Sequence, residues 1–240
     1  MPNPHFAFKQ FTIQQDKCAM KVGTDAVLLG AWVKPNGAKR ILDIGTGTGV
    51  IALMLAQRSH SEALIDGIDI DDSACLQAEE NVLASPWKEQ VRILNHSLQD
   101  YSHETTTRYE LIVSNPPYFL DSSKAVGLER TAARHADLLP YDQLLESVIR
   151  LLDKKGKFCV ILPVKEAGIL RELAKERGLQ LSKLMRVRTR PDKETEKRHI
   201  MQFEHSPSSF SEDTIVIEKD ERHDYTDEYK ELTKEYYLAF

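Results

Sequence analysis

The sequence predicts an α/β fold in which a mostly parallel sheet is sandwiched by helices. In residues 40–49 a short apolar run ends in alternating glycines, and residues 50–56 continue with apolar side chains at helical spacing. Strand, tight turn and helix in this order open a Rossmann-like unit. Further apolar segments of strand length recur between helical ones, at residues 63–69, 91–94, 109–114 and 157–162. This alternation favours parallel strands joined by crossover helices.

Length and composition describe an ordinary globular chain. Its 240 residues are 41% hydrophobic and 29% charged, with three scattered cysteines. We expect an N-terminal hairpin-and-helix appendage over 1–38 and one main domain over 39–240. The apolar stretches are shorter than a membrane span, the N-terminus has no signal-peptide pattern, and the cysteines suit a reducing cytosol. The sequence therefore predicts a cytoplasmic protein with no membrane segment and no metal.

The charge distribution is uneven. The chain carries a formal net charge of −5, which gives no hint of nucleic acid. Residues 183–198 nevertheless hold seven basic against three acidic residues, and residues 212–235 hold ten acidic against four basic ones. The basic stretch fits a phosphate-binding surface and a solvated loop equally well.

The N-terminal elements lead into the glycine turn. Residues 6–14 have strand-like composition, and we expect them to form a hairpin with residues 20–22. Thr24 is a good N-cap and Asp25 suits the first turn of the helix that follows. These two residues serve either as caps alone or, if the helix start lies over a bound ligand, as part of its site.

The glycine turn itself indicates the type of ligand. A dinucleotide site has the spacing G-x-G-x-x-G, whereas this chain has Gly45-Thr-Gly-Thr-Gly49, preceded by Asp43. An anion beside Asp43 would be repelled, and a cationic amino-acid ligand would be attracted. The pattern therefore favours S-adenosylmethionine over NAD. The predicted contacts here are Asp43, Gly45, Thr46, Gly47 and Gly49.

An acid at the end of the second strand completes the predicted nucleotide site. Asp69 lies 20 residues beyond Gly49, where Rossmann-like sites place a carboxylate that accepts both ribose hydroxyls. We assign Ile70 to the same site. The alternative role of helix N-cap suits Asp71 or Ser73 better than Asp69.

The end of the third strand leaves the contact to the cofactor adenine open. A polar group for the adenine amine usually follows this strand, and no acid stands at the tightest position here. Ser97, Leu98 and Asp100 are the candidates.

The second chemical motif is Asn115-Pro-Pro-Tyr118, which ends a central strand abruptly. Two prolines remove two backbone donors, so the carbonyls of Asn115 and Pro116 stay free to accept. With the Asn115 side-chain oxygen they fit a planar group that bears an NH2, on which the Tyr118 ring can stack. We predict Asn115, Pro116, Pro117 and Tyr118 to be catalytic, with Asn115 also near the cofactor.

These motifs resemble the class I S-adenosylmethionine-dependent methyltransferases that methylate amino groups. Nearly the whole chain is similar to the tRNA1(Val) (adenine-37-N6)-methyltransferase family, including Cys18-Ala-Met-Lys-Val-Gly-Thr-Asp25, Leu28-Leu-Gly-Ala-Trp32 and the tail from Tyr225. The resemblance implies a class I methyltransferase sheet with a C-terminal antiparallel hairpin. It also implies methylation of an adenine N6 in tRNA, at adenosine 37 of tRNA1(Val).

The resemblance makes tRNA the expected partner, and we expect the chain to act as a monomer. The Tyr118 ring is one candidate for contacting tRNA. The others are basic side chains of two segments, which are Arg130 and Arg134 in the first and Arg188, Arg190, Lys197 and Arg198 in the second. Residues 122–134 suit an ordinary solvated connector as well as a lid.

Three alternative functions remain, two with the same methyl-transfer chemistry on another substrate and one without catalysis. The substrate is alternatively rRNA or a protein glutamine amide, although glutamine-modifying relatives typically have a long N-terminal domain not seen in this sequence. A catalytically inactive binding module is the remaining alternative.

The later part of the sequence predicts helices at 141–152 and 166–177, a hairpin of 179–189 with 199–205, an edge strand at 214–218 and a docked helix in the acidic tail.

Overall fold

The structure is a computed structural model that describes residues 3–117, 139–191 and 195–240 of the chain. The strands in this part are β1 (His5–Ala7), β2 (Thr12–Gln14), β3 (Arg40–Ile44), β4 (Leu64–Asp69), β5 (Val91–Asn95), β6 (Tyr109–Ser114), β7 (Leu152–Pro163), β8 (Gln180–Arg188), β9 (Glu196–Glu204) and β10 (Ser211–Val216). The helices are α1 (Thr24–Trp32), α2 (Val50–Ala56), α3 (Asp72–Leu83), α4 (Leu98–Glu104), α5 (Tyr141–Leu151), α6 (Val164–Glu176) and α7 (Asp227–Thr233).

The main sheet has the order β10-β8-β9-β7-β6-β3-β4-β5. β5, β4, β3, β6 and β7 run parallel, and β9 is antiparallel to both β7 and β8. The predicted mostly parallel sheet with an antiparallel hairpin is therefore confirmed. The chain builds outward from β3 through β4 to β5 and then returns to the other side of β3 with β6. Ligands of such sheets bind at this switch point, beside the carboxyl ends of the strands.

The central strands are buried because helices cover both faces of the sheet. Ile41 and Leu111 face one core, which α1, α2 and α3 complete, whereas Leu42 and Ile112 face the other, completed by α5 and α6. Strands covered on both faces read as continuous apolar runs. The register sets Ile44 beside Ser114 on one side and beside Ile68 on the other, so the ends of β3, β6 and β4 lie together.

The N-terminal hairpin differs from the prediction. β1 pairs with β2 in antiparallel register, so the hairpin closes within residues 5–14 and does not use residues 20–22. The turn is held by the Phe8 N–H, which donates to the Phe11 carbonyl, and by stacking of the two rings at 4.7 Å between centroids. Residues 16–22 have other partners, because the Gln15 amide oxygen accepts from the Val22 N–H and the Gln77 amide oxygen from the Lys17 N–H.

The hairpin packs into the main body of the protein. Phe8, Ile13 and Leu28 share one core with Ile41. The domain boundary predicted at residue 38 stays a prediction.

The C-terminal elements follow the predicted order. β8 and β9 form the expected hairpin, and β10 adds the expected edge strand parallel to β8. The acidic tail contains α7, whose Tyr229 is buried, and the Tyr236 hydroxyl donates to the Met54 carbonyl at 2.9 Å. The predicted docking of this segment as a helix is therefore confirmed.

Candidate active site

The glycine turn after β3 is open toward solvent. Gly45, Gly47 and Gly49 have φ of 69°, 55° and 78°, a region that other residues rarely adopt. The N–H groups of Gly45 and Thr46 donate to the Ile68 carbonyl at 2.9 and 3.0 Å, which fixes the turn against β4. A Cβ atom on Gly45 or Gly47 would meet nothing within 4 Å. A ligand therefore has access to the backbone at these two positions.

Asp43 lies buried beneath this turn. Its Oδ2 accepts from the Thr46 hydroxyl at 2.7 Å, whereas Oδ1 has no hydrogen-bond partner among the described residues. Burial raises the pKa of Asp43 to about 7, and the Thr46 hydrogen bond opposes the rise. A buried carboxylate oxygen without a donor favours a cationic donor, such as the ammonium of an amino acid.

Asp69 connects β4 to the glycine turn. Its Oδ2 accepts from the Gly47 N–H at 2.8 Å and its Oδ1 from the Asp71 N–H at 3.1 Å. Each carboxylate oxygen can accept more than one hydrogen bond, so these contacts orient Asp69 without exhausting it. Asp71, one of the two candidates that the sequence offered, is the N-cap of α3 and accepts from the N–H groups of Ser73 and Ala74.

Ile70 presents an apolar surface beside Asp69. Its side chain belongs to the large hydrophobic residues that remain exposed, at 60%. A flat, partly apolar ring such as adenine is suited to cover it. The predicted role of Ile70 in the cofactor site stays a prediction.

The end of β5 leads directly into a helix cap. The Ser97 hydroxyl accepts from the Asp100 N–H at 3.1 Å and donates to the Asp100 carboxylate at 2.7 Å, while Leu98 is buried. Ser97 and Asp100 therefore have structural partners. Which of the three candidates contacts the cofactor adenine stays open.

Asn115 follows β6 at the same edge of the sheet as the glycine turn. The Ser114 hydroxyl donates to the Ile44 carbonyl at 3.0 Å and so ties the end of β6 to the end of β3. Pro116 is buried, Pro117 is exposed and Asn115 is half-buried. No hydrogen bond joins the Asn115 side chain to another residue that the structure describes. Tyr118, predicted to stack on the substrate, lies outside the described residues.

The start of α1 corrects one prediction. Gly23, with an extended backbone, is the N-cap, and Thr24 is already the first helical residue, so Thr24 does not cap the helix. Asp25 lies in the first turn as predicted. Its carboxylate accepts from Arg198 Nε at 2.7 Å. Two residues assigned to different ligands from the sequence are thus partners of each other.

The predicted tRNA-contacting residues fall into two groups by their partners. Arg190 pairs with Glu218 at 3.3 Å and Arg198 with Asp25, so these charges are compensated within the protein. Lys197 is exposed, and the buried Nε of Arg188 has no partner among the described residues. Arg130 and Arg134 lie outside the described residues. The tRNA contacts stay predictions.

Two residues that support the site were not predicted. Asn81 of α3 donates to the Thr48 and Gln14 carbonyls, both at 2.9 Å, and so links the glycine turn to the N-terminal hairpin. Gly67 lies within β4, where a Cβ atom would come within 2.8 Å of the Thr46 hydroxyl oxygen. The sequence signal for Gly67 is a glycine in a strand interior, which often marks close approach of another group, whereas Asn81, in the last turn of α3, has no distinctive local signal.

Across residues 3–117, 139–191 and 195–240, no group of three or more His, Cys, Asp or Glu side chains is arranged to hold a metal ion. None of the helices in these ranges is both long and apolar enough to cross a membrane.

Sheet order and site geometry together define a class of protein. A parallel sheet that begins at β3, carries an open glycine turn over a buried acid and brings a second acid and Asn115 to the same edge is the arrangement of class I methyltransferases. Their methyl donor is S-adenosylmethionine, which is therefore the cofactor of this chain. The unpaired Asp43 oxygen, the open glycine backbone and Asp69 fit its ammonium, amino-acid and ribose groups.

Comparison with known proteins narrows the class to one family. The family model for the methyltransferase small domain matches residues 18–162. A tRNA1(Val) (adenine(37)-N6)-methyltransferase from Bacteroides thetaiotaomicron is 47% identical over 99% of both chains, and one from Phocaeicola vulgatus is 48% identical over 99% of both. This chain belongs to that family.

Solved structures agree with the fold. A predicted O-methyltransferase from Agrobacterium tumefaciens superposes with a TM-score of 0.68, at 16% identity, over 88% of this chain and 96% of the other. At such low identity the likeness concerns the fold alone.

Proposed function

We propose that this chain transfers a methyl group from S-adenosylmethionine to the exocyclic N6 amine of adenosine 37 in tRNA1(Val). The observation that carries the proposal is the position of Asn115 beside the glycine turn, in a chain 47% identical over nearly its full length to a relative that bears this activity in its name. The proposed site of action is the cytoplasm, and the proposed active form is a monomer.

S-adenosylmethionine would be held by the glycine turn and the two acids beside it. Asp43, the Gly45 to Gly49 backbone and Asp69 are its proposed contacts, and the sulfonium supplies an activated methyl group when bound. A sulfonium is electrophilic without help from a metal, so the protein has to position the acceptor nitrogen in line with it.

Asn115 and Pro116 would hold the acceptor. The Asn115 side-chain oxygen and the Pro116 carbonyl accept the two hydrogens of the adenine amine, which directs the nitrogen lone pair away from the ring plane and toward the methyl group. No strong base is required, because the proton can leave after the nitrogen has become cationic. The absence of a described partner for the Asn115 amide leaves its oxygen available for this contact.

The substrate must present its base outside the stack. Unstacking one base costs a few kcal/mol, and least in a single-stranded loop. An anticodon-loop adenine next to the anticodon meets this requirement without opening a helix.

A methylation assay with a matched RNA tests the proposal. Purified protein with labelled S-adenosylmethionine should methylate a tRNA1(Val) transcript, and a transcript carrying guanosine at position 37 should remain unlabelled. Nucleoside mass spectrometry should identify N6-methyladenosine as the product. Label in rRNA or in protein glutamine, with none in the tRNA, would overturn the proposal.

A further inference from the structure

The start of α1 and the start of β9 are joined by a sheltered ion pair. Arg198 Nε donates to Asp25 Oδ2 at 2.7 Å, and the two side chains are only 23% and 24% exposed. Arg198 also donates to the Lys197 backbone carbonyl at 2.9 Å, which orients the guanidinium on its own strand. Ion pairs that are partly buried are screened by salt much less than exposed ones.

This pair lies at the edge of the sheet that carries the site. In the antiparallel register of β7 and β9, Arg198 stands opposite Pro163, the last residue of β7. β7 is parallel to β6, and its last three residues run beyond Val160, the partner of Ser114. Arg198 is therefore at the carboxyl edge, where Asn115 and the glycine turn also lie.

The two partners belong to segments with different proposed ligands. Asp25 is in the first turn of α1, the helix whose start is predicted to lie over the cofactor. Arg198 is on β9 next to the exposed Lys197, on the hairpin that also carries Arg188. A charge-assisted contact between them fixes the position of one segment relative to the other.

We infer that Asp25 and Arg198 are positioning residues whose ion pair makes cofactor binding and tRNA binding favour each other. Cofactor that contacts the start of α1 favours the Asp25 side-chain position that pairs with Arg198, and the pair in turn fixes the Arg198 guanidinium at the start of β9. The charges at the start of β9 are then already in position when tRNA binds, and by linkage tRNA strengthens cofactor binding equally. This inference rests on the proposed function.

A double-mutant cycle on binding tests the inference. The dissociation constant of tRNA1(Val) is measured with and without saturating S-adenosylhomocysteine, for the wild type, Asp25→Asn, Arg198→Gln and the double variant. Coupling between sites is typically about 5- to 150-fold. We expect the wild type to bind tRNA at least about 5-fold more tightly with S-adenosylhomocysteine. Either single variant should lose this ratio, and the double variant should be no worse than the singles.

The rival reading predicts a different pattern. If Asp25 contacts the cofactor and Arg198 contacts RNA directly, Asp25→Asn weakens S-adenosylhomocysteine binding alone, Arg198→Gln weakens tRNA binding alone, and the two losses multiply in the double variant. That pattern, or a wild type that binds tRNA equally well with and without S-adenosylhomocysteine, overturns the inference.

A second Arg–Asp pair, more exposed than the first, serves as control. Arg177, the residue that follows α6, and Asp142 in the first turn of α5 also form an Arg–Asp pair, at 2.6 Å, and neither helix carries a predicted site residue. The cycle of Asp142→Asn and Arg177→Gln should leave the ratio at the wild-type value, and thermal melting of all variants verifies their folding. A control cycle that removes the ratio as completely as the Asp25 cycle would also overturn the inference.

The activity of the wild type separates the two proposals. If the same preparation methylates tRNA1(Val) but shows no coupling, the proposed function stands and the inference fails. If it does not methylate tRNA, the proposed function fails and the inference fails with it.

Discussion

The two halves of the site, on either side of β3, differ in how far the protein completes them by itself. On the β4 side, the Asp69 carboxylate accepts from the N–H groups of Gly47 and Asp71. The Thr46 hydroxyl donates to the Asp43 carboxylate, so each acid is oriented by a neighbouring group. On the β6 side, the Asn115 amide has no described partner. The polar groups of the proposed cofactor half are thus mostly oriented by the protein, with Asp43 Oδ1 as the acceptor still lacking a donor, whereas the Asn115 side chain in the proposed substrate half has no partner among the described residues.

This difference fits the two ligands. A small molecule that is always the same is bound well by a preformed pocket. A flipped base arrives with a large, charged RNA, and specificity depends on acceptors that only the right base satisfies. Variants should therefore separate the halves, with effects on cofactor affinity from one side and on methyl transfer from the other.

The largest effect should come from Asn115→Ala. Loss of a positioned polar group that acts on the reacting atoms typically lowers kcat by about 10²- to 10³-fold, and cofactor affinity should stay within about twofold of the wild type. Single-turnover methyl transfer and calorimetry with S-adenosylhomocysteine measure the two quantities.

Asn95→Ala is the matched control for Asn115→Ala. Asn95 ends β5 at the same edge but in the other half, and its amide donates weakly to the Ile70 carbonyl at 3.4 Å. Methyl transfer at saturating cofactor should be unchanged. If both variants lost transfer equally, Asn115 would have no special role.

Asp69→Ala should follow in size. Hydrogen bonds to a charged group contribute about 1.5–3 kcal/mol, so loss of the ribose contact should weaken cofactor binding by about 10- to 100-fold. The rate of transfer at saturating cofactor should change little. Unchanged affinity in calorimetry would refute the ribose assignment.

Asp43 should make cofactor affinity depend on pH. Its pKa in the empty protein is about 7, and an ammonium beside it stabilises the charged form, so binding releases a proton. Affinity should rise by up to tenfold per pH unit below about 7 and level off above it. Asp43→Asn should bind more weakly and without this dependence. Calorimetry in buffers of different ionisation enthalpy counts the released proton.

The stability of the empty protein should show the opposite dependence. The ordinary pKa of this carboxyl is 3.8, so between about pH 4 and pH 7 the folded state binds one more proton than the unfolded state. The free energy of unfolding should therefore contain a contribution that falls as pH rises through this window. Chemical denaturation should find this contribution missing in Asp43→Asn, and an identical pH profile for both proteins would refute the burial argument.

The smallest effects should come from single basic residues. Lys197→Ala should weaken tRNA binding by a few-fold and reduce the salt slope by about 1, as loss of one phosphate contact does. Lys183→Ala removes an exposed lysine near the middle of β8 and should change neither quantity.

Arg190→Ala should weaken tRNA binding less than Arg188→Ala, because Glu218 already compensates the charge of Arg190. Filter binding at several salt concentrations makes this comparison.

Local signals made much of the fold and site predictable. The glycine turn, the acid 20 residues beyond it and the α3 cap depend on neighbours in the sequence. The structure has the turn as predicted, and of the two candidate caps, Asp71 and Ser73, it uses Asp71. The predicted pairing with residues 20–22 was wrong: β1 pairs with β2, and the side-chain amides of Gln77 and Gln15 accept from the N–H groups of Lys17 and Val22. No local sequence pattern indicates that these two hydrogen bonds form.

The pairing of charged side chains could not be predicted from the sequence for a related reason. Asp25 and Arg198 are 173 residues apart, and they meet because α1 packs against β7 while the register of β9 with β7 sets Arg198 at the end of β7. Likewise, the basic stretch was recognisable as a charge excess, but the acids that neutralise Arg186 come from β9 and β10. Charge counts along a chain do not show which charges meet.

The position of β10 at the edge of the sheet has a consequence for β8, the strand that carries Arg188. β10 lies outside β8, so β8 is hydrogen-bonded on both sides and is an interior strand. The outermost strand of a sheet opens first, because half of its backbone groups lack protein partners. Fraying at this end of the sheet therefore begins in β10, whose residues 211–214 are exposed, and spares the strand that holds Arg188.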